Sequence, residues 1–181
     1  MKKEMSFVQR LTTSLLANQA ITQKEADSVV AMFHDRAKGR VDNFLLDEGL
    51  VEREELLQAL SQVYQVPYFD VNGYFFEHEL LATFPRDILI SKGIIPLQVD
   101  EDVLVVVASN PEDPELLDVI GHSVSYDIQF NVGIRRDIIE AIEEYYDQSI
   151  VLDDEDDYED DESFEADEDD DMAEDIFDDE Y

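Results

Sequence analysis

An internal repeat, offset by 30 residues, constrains the front of this chain more than any other feature. Arg10-Leu11 recurs as Arg40-Val41, Leu15-Leu16 as Leu45-Leu46, and Ala20-Ile21 as Leu50-Val51. Glu25-Ala26 then returns as Glu55-Leu56, Val30 as Leu60, and Phe33 as Val63. Within each copy the apolar positions fall at i, i+4 and i+5, pause, and resume at helical spacing, which predicts two helices joined by a tight turn. One helix pair has too small an apolar face to be stable alone, so the two copies are expected to pack on each other as a four-helix unit. Thr22-Gln23-Lys24-Glu25 is a capping-box sequence and predicts Thr22 as the cap of the second helix of copy one. Gly49 suits the left-handed residue that ends the first helix of copy two.

The pattern changes after Tyr64. Pro67 biases its predecessor away from the helical region, so Val66-Pro67-Tyr68-Phe69-Asp70 reads as extended. Asn72-Gly73 marks a turn, and Tyr64 to Tyr74 is expected to be a hinge between two subdomains. Phe75 to Phe84 has helical spacing, and Pro85 is predicted at the first turn of a further short helix ending at Ser91. Ile94 to Val99 and Val103 to Ala108 flank Asp100-Glu101-Asp102, a hairpin pattern. The second of these strands is apolar on both faces, as a covered central strand is, whereas Pro96 points to an edge for the first. Asp113-Pro114-Glu115 offers an N-cap, a proline at the first helical position and an acid, ahead of a helix over Leu116 to Ile120. Tyr126, Ile128, Phe130 and Val132 alternate with polar residues as a third strand does, and Ile134 to Tyr146 is amphipathic at helical spacing. That strand is predicted parallel to its neighbour through a right-handed crossover. The fold class is therefore α+β. A four-helix repeat unit occupies residues 1–66, a small three-stranded α/β subdomain of order ββαβα occupies 67–147, and an acidic tail occupies 148–181.

Charge sorts the functions. The 181 residues hold 47 acidic and 12 basic side chains, a net −35, and 20 of the acids lie between Val151 and Tyr181 with no Lys or Arg among them. So charged a stretch, with only scattered apolar residues, cannot bury enough surface to offset ordering entropy and is expected to be disordered. It reads as a solubilising extension or as an electrostatic arm for a basic protein surface, with Met172, Ile176 and Phe177 as one apolar turn. A net charge of this sign disfavours nucleic acid and anionic lipid as partners. No cysteine is present, so disulfides, thiol nucleophiles and cysteine-bound zinc are excluded. No apolar run approaches the ~20 residues of a membrane span. Gln9, Arg10, Thr12 and Thr13 interrupt any signal sequence begun at Met1, and a cytoplasmic protein is expected. The glycines form no phosphate-cradling loop, and His34, His78 and His122 stand apart without a metal-ligand companion. Neither catalysis nor a metal site is predicted.

These motifs, taken in order, resemble the N-terminal domain of the type II secretion and type IV pilus assembly ATPases, GspE and PilB, including its cyclic-di-GMP-binding MshEN version. Arg10-Leu11 onward and Arg40-Val41 onward resemble that family's tandem RLGxxLxxxGxL motif. Val66-Pro67-Tyr68-Phe69-Asp70-Val71 resembles its linker, and Gly93 to Leu97, Val103 to Pro114 and Ile138 to Tyr146 resemble its second subdomain. Walker A and Walker B segments are absent. The resemblance implies a non-catalytic module that docks on a component of secretion or pilus machinery and needs no cofactor. The alternative it implies is a cyclic-di-GMP receptor whose site is Arg10, Leu11, Leu15, Leu16, Arg40, Val41, Leu45, Leu46 and Gly49. Thr12, Gln19 and Asp42 stand where the motif has glycine. Glycine lets backbone approach a phosphate, and a carboxylate at Asp42 would repel one.

Overall fold

A computed structural model describes residues 5–33 and 38–155. Four helices come first: α1 (Phe7–Ala17), α2 (Gln23–Met32), α3 (Lys38–Asp47) and α4 (Arg53–Tyr64). The repeat is visible atom by atom at the turns. Asn18, Gln19 and Ala20 donate their amides to Ser14, Leu16 and Leu15 carbonyls; Glu48, Gly49 and Leu50 donate to Phe44, Leu46 and Leu45. Gln19 and Gly49 are both left-handed, with φ of 61° and 64°. Thr22 caps α2 as expected: Glu25 N donates to its hydroxyl at 3.4 Å, and Thr22 N donates back to Glu25 Oε2 at 2.7 Å. Copy two has Glu52 at the matched place, where Glu52 N donates to Glu55 Oε2 at 2.8 Å.

The second region follows as α5 (His78–Ala82), α6 (Arg86–Lys92), β1 (Ile94–Asp100), β2 (Val103–Ala108), α7 (Leu116–Gly121), β3 (Asp127–Val132) and α8 (Arg135–Glu155). The sheet order is β1-β2-β3, so β2 is central and β1 is an edge strand with an irregular register between Pro96 and Gln98. β1 and β2 are antiparallel; β2 and β3 are parallel, joined through α7. Glu101, at φ 54°, turns the hairpin.

Four local expectations shift. Phe75 to Glu77 stay outside α5, because the Gly73 turn and the packing of the Tyr74 ring between Phe69 and Phe76 hold this stretch extended. Pro85 is the N-cap of α6, not its first helical residue. Glu115, not Asp113, is the N-cap of α7, because Asp113 is used one turn earlier, its Oδ1 accepting from Glu115 N at 3.0 Å. Finally, α8 runs to Glu155, past the predicted end at Tyr146. No Gly or Pro interrupts residues 147–155, so nothing stops the helix there. The rest of the expected tail, 156–181, lies outside the described residues.

Two apolar clusters form. Leu11, Leu15, Val41, Leu45, Leu56 and Leu60 centre the helical one, and Val132 and Ile134 from the second region plug into it. The other gathers Ile94, Ile95, Leu104, Val106, Val107, Ile138 and Ile142 around the sheet. The segment expected to be a hinge is bonded to the sheet: Val132 N donates to Pro67 O at 2.8 Å, and Phe69 N donates to Val132 O at 2.9 Å. Ion pairs cross the same boundary. Arg53 on α4 pairs with Asp137 on α8, and Arg136 Nη1 donates to Asp47 Oδ1 at 2.8 Å. Burial pushes the Asp137 carboxyl above its ordinary range even though Arg53 pulls it down, so removing Arg53 would strand a buried carboxylate.

Candidate ligand site

Copy one of the repeat presents its arginine from α1, and the structure closes that arginine on its own chain. Arg10 Nη1 and Nη2 donate to Glu112 Oε1 and Oε2 at 2.9 and 2.8 Å, a bidentate pair between α1 and the loop that precedes α7. The guanidinium also lies over the Tyr64 ring, 5.9 Å from its centroid, and the Phe7 ring stacks on Tyr64 at 5.9 Å. An aromatic shelf topped by a fork of N–H donors is suited to an anion or to a stacked base. Here a carboxylate occupies the fork.

The nine residues implied by the resemblance divide by depth. Leu11, Leu15, Val41 and Leu45 are fully buried in the helical core. Leu16 and Leu46 are partly buried against the same core. Gly49 lies at an open turn, with nothing within 4 Å of where a Cβ would be. Arg10 reaches the surface. Arg40 is placed on α3 by its backbone, and its side chain lies outside the described residues. Four of the nine therefore hold the helices in position and have no side-chain surface to offer a ligand.

Asp42 is not a surface carboxylate; its side chain lies inside. It is only 6% exposed, and its Oδ1 accepts no hydrogen bond. Burial alone pushes its carboxyl from 3.8 up to about 7, so near neutrality much of it is uncharged. The Tyr64 hydroxyl is raised as well, first by burial and then by the negative charges of Asp42 and Glu112, with Arg10 opposing. Asp42, Tyr64, Arg10 and Glu112 thus form one electrostatic unit.

Two members of this unit, Glu112 and Tyr64, and the Phe7 ring stacked on it were not identified from sequence. Glu112 lies 102 residues from Arg10, and no local pattern links them. Tyr64 marked only the place where the sequence pattern changes, and no sequence feature singled out Phe7. Elsewhere, Tyr145 and His78 share a hydrogen bond at 2.5 Å, His122 bonds within its own helix end, and Asp100-Glu101-Asp102 forms an exposed turn. Among the described residues no group of three metal-ligating side chains converges, and no helix is long and apolar enough to cross a membrane.

A repeat-derived helical unit thus sits beside a small mixed sheet, and parts of this chain are similar to known proteins. Residues 64–152 match the family model of the MshEN domain. The chain is 26% identical over 133 residues, 73% of its length, to bacteriophage adsorption protein B of Escherichia coli K12. It is also 26% identical over 107 residues, 59% of its length, to the type IV pilus assembly ATPase PilB of Myxococcus xanthus. The matched stretches span only 17% and 19% of those two proteins. Among solved structures, MshE with cdg aligns at a TM-score of 0.58 and 16% identity, covering 75% of this chain and 98% of that one. The N-terminal domain of XpsE aligns at 0.52 and 18% identity, covering 78% and 96%. These two likenesses are likenesses of fold.

Proposed function

We propose that the folded region is a non-catalytic docking module that binds a protein component of a secretion- or pilus-type machine. The observation that carries this reading is the Arg10–Glu112 pair, because the guanidinium that a dinucleotide phosphate would need is already matched by two charge-assisted bonds within the chain. The similarity to short parts of both a type IV pilus assembly ATPase and a bacteriophage adsorption protein supports a module that recurs in otherwise different proteins. Affinity isolation from the source organism tests it, with the full chain immobilised and a peptide of residues 151–181 as the control for charge capture. Specific recovery of a secretion or pilus component is expected. Recovery of nothing beyond the control set would contradict docking.

A second reading, a cyclic-di-GMP receptor, is favoured by one observation, the stacked Phe7–Tyr64–Arg10 shelf in a fold similar to that of MshE with cdg. A ligand that binds only the folded state raises Tm. On this reading cyclic-di-GMP raises Tm in the parent chain and not in Arg10→Ala. An equal rise in both would put the ligand elsewhere, and no rise in either would remove the reading.

A further inference from the structure

A second recess lies far along the chain from Arg10, between the 71–76 turn and α8. Tyr74 and Phe75 line it from the turn, and Asp137, Glu140, Glu144 and Tyr145 line it from α8. Its volume is about 260 Å³. That is under the ~300 Å³ at which small-molecule pockets begin, so the recess suits one side chain better than a whole ligand.

The turn that bears Phe75 is held, not frayed. Asn72 N donates to Asp70 Oδ1 at 3.0 Å, Tyr74 N donates to Val71 O at 3.2 Å, and Gly73 supplies the positive φ, 72°, between them. The Tyr74 ring sits edge-on to Phe69 and to Phe76, at 5.1 and 4.8 Å. Phe75 nevertheless stands 95% exposed. Tyr145 is fixed too, its hydroxyl donating to His78 O at 2.9 Å. An aromatic anchor presented on an ordered turn loses little freedom when a partner covers it. On α8 Asp137 is engaged by Arg53, and Glu140 and Glu144, one helical turn apart, add further negative charge to the recess.

We propose that this recess receives a Lys or Arg side chain from a basic segment of a partner protein, with an apolar neighbour of that residue covering Phe75. Charge complementarity selects the occupant. An anionic group would meet the carboxylates, and a wholly apolar one would strip water from them without replacing it. A cation is attracted both by the negative charge of the recess and by the aromatic faces. This inference deepens the docking reading and rests on it only in taking the occupant to be a protein segment.

The test is an amide-resolved NMR titration of the isotope-labelled full chain at ~0.15 M salt, where exposed charges are screened beyond about 8 Å. The probe is the blocked peptide Gly-Leu-Arg-Leu-Arg-Gly, and its control has citrulline in place of each arginine. Saturable shifts at residues 72–76 and 140–145 are expected with the arginine peptide alone. Phe75→Ala, which removes the apolar surface to be covered, and Glu140→Gln, which removes a charge facing the cation, should each weaken binding by about tenfold. Both changes are on the surface, and unchanged amide positions elsewhere verify the fold. Shifts confined to 151–181, or equal affinity in Phe75→Ala, would overturn the proposal. The same variants separate it from the docking reading. If both recover the machine component as well as the parent does, docking stands and the recess falls. If no component is ever recovered while the peptide still maps to 72–76, the recess stands and that reading falls.

Discussion

Copy one closes its helix pair with Gln19 and copy two closes its pair with Gly49, on the same left-handed backbone and the same three carbonyl bonds. At the position seven residues earlier, copy one buries Thr12, whose hydroxyl donates to Val8 O at 2.8 Å. Copy two buries Asp42, whose Oδ1 has no hydrogen-bond partner. Each copy therefore keeps the shared geometry with one residue poorly suited to it: a side chain in a left-handed turn in copy one, an acid in the core in copy two. Thr12, Gln19 and Asp42 stand where the motif that this chain resembles has glycine. The helix packing does not depend on glycine at these places, because Leu11, Leu15, Val41 and Leu45 fill the core. Glycine there would matter to a phosphate approaching the backbone, not to the packing.

Several substitutions would break or sharpen that comparison. The largest effect belongs to the matched core leucines. Leu15→Ala and Leu45→Ala should each cost roughly 2–5 kcal/mol in denaturant unfolding, and by similar amounts. A cost near zero at either position would break the equivalence of the copies.

Asp42→Thr, which gives copy two the residue of copy one, should stabilise the protein near neutral pH by about 1–3 kcal/mol, the scale of a buried unsatisfied polar group. The effect has a defined pH dependence. Burial raises the folded carboxyl from 3.8 to about 7, so at low pH it is neutral in both states. Between those values only the unfolded chain loses the proton, so the stability contributed by this site falls as pH rises through the window and levels off above it. Unfolding followed across pH should show that slope in the parent chain, reduced in Asp42→Thr. A parallel pair of curves would mean that Asp42 is solvated.

Smaller effects come from the turns and caps. Gln19→Gly should gain, and Gly49→Gln should lose, about 1 kcal/mol, because a side chain in the left-handed region costs roughly 1–2 kcal/mol and glycine returns part of this through the unfolded state. Thr22→Ala should lose about 1 kcal/mol as a cap, and Glu52→Ala less, because Glu52 is outside the residues that cap strongly. Thermal melts of the four variants check both pairs.

The features legible in the sequence were those set by neighbours a few residues apart. The repeat, the Thr22 cap, the Gly49 turn, the hairpin at Glu101 and the buried run of β2 all follow from local spacing. So did the parallel pairing of β3, because a helix-length connection between strands leaves few alternatives. The candidate site was less legible, and Leu15 shows why: the helical period that puts a residue into a motif also puts it into a core. The arginine's partner was invisible, since Glu112 is brought to Arg10 only by the packing of the loop before α7 on α1. Phe75 was read as part of a helix because its spacing suits one. The Gly73 turn and the stacked rings around Tyr74 decided otherwise.

Calorimetric titration of cyclic-di-GMP into the full chain tests the division between fold and ligand chemistry most directly. With Arg10 held by both Glu112 oxygens, Asp42 in the core and residues other than glycine at Thr12, Gln19 and Asp42, the predicted result is no saturable heat at protein concentrations on the order of tens of micromolar, a range that detects a micromolar Kd, a binding free energy of about −8 kcal/mol. Saturable binding by the parent chain that disappears in Arg10→Ala would contradict it and would make the Arg10 shelf a working receptor site.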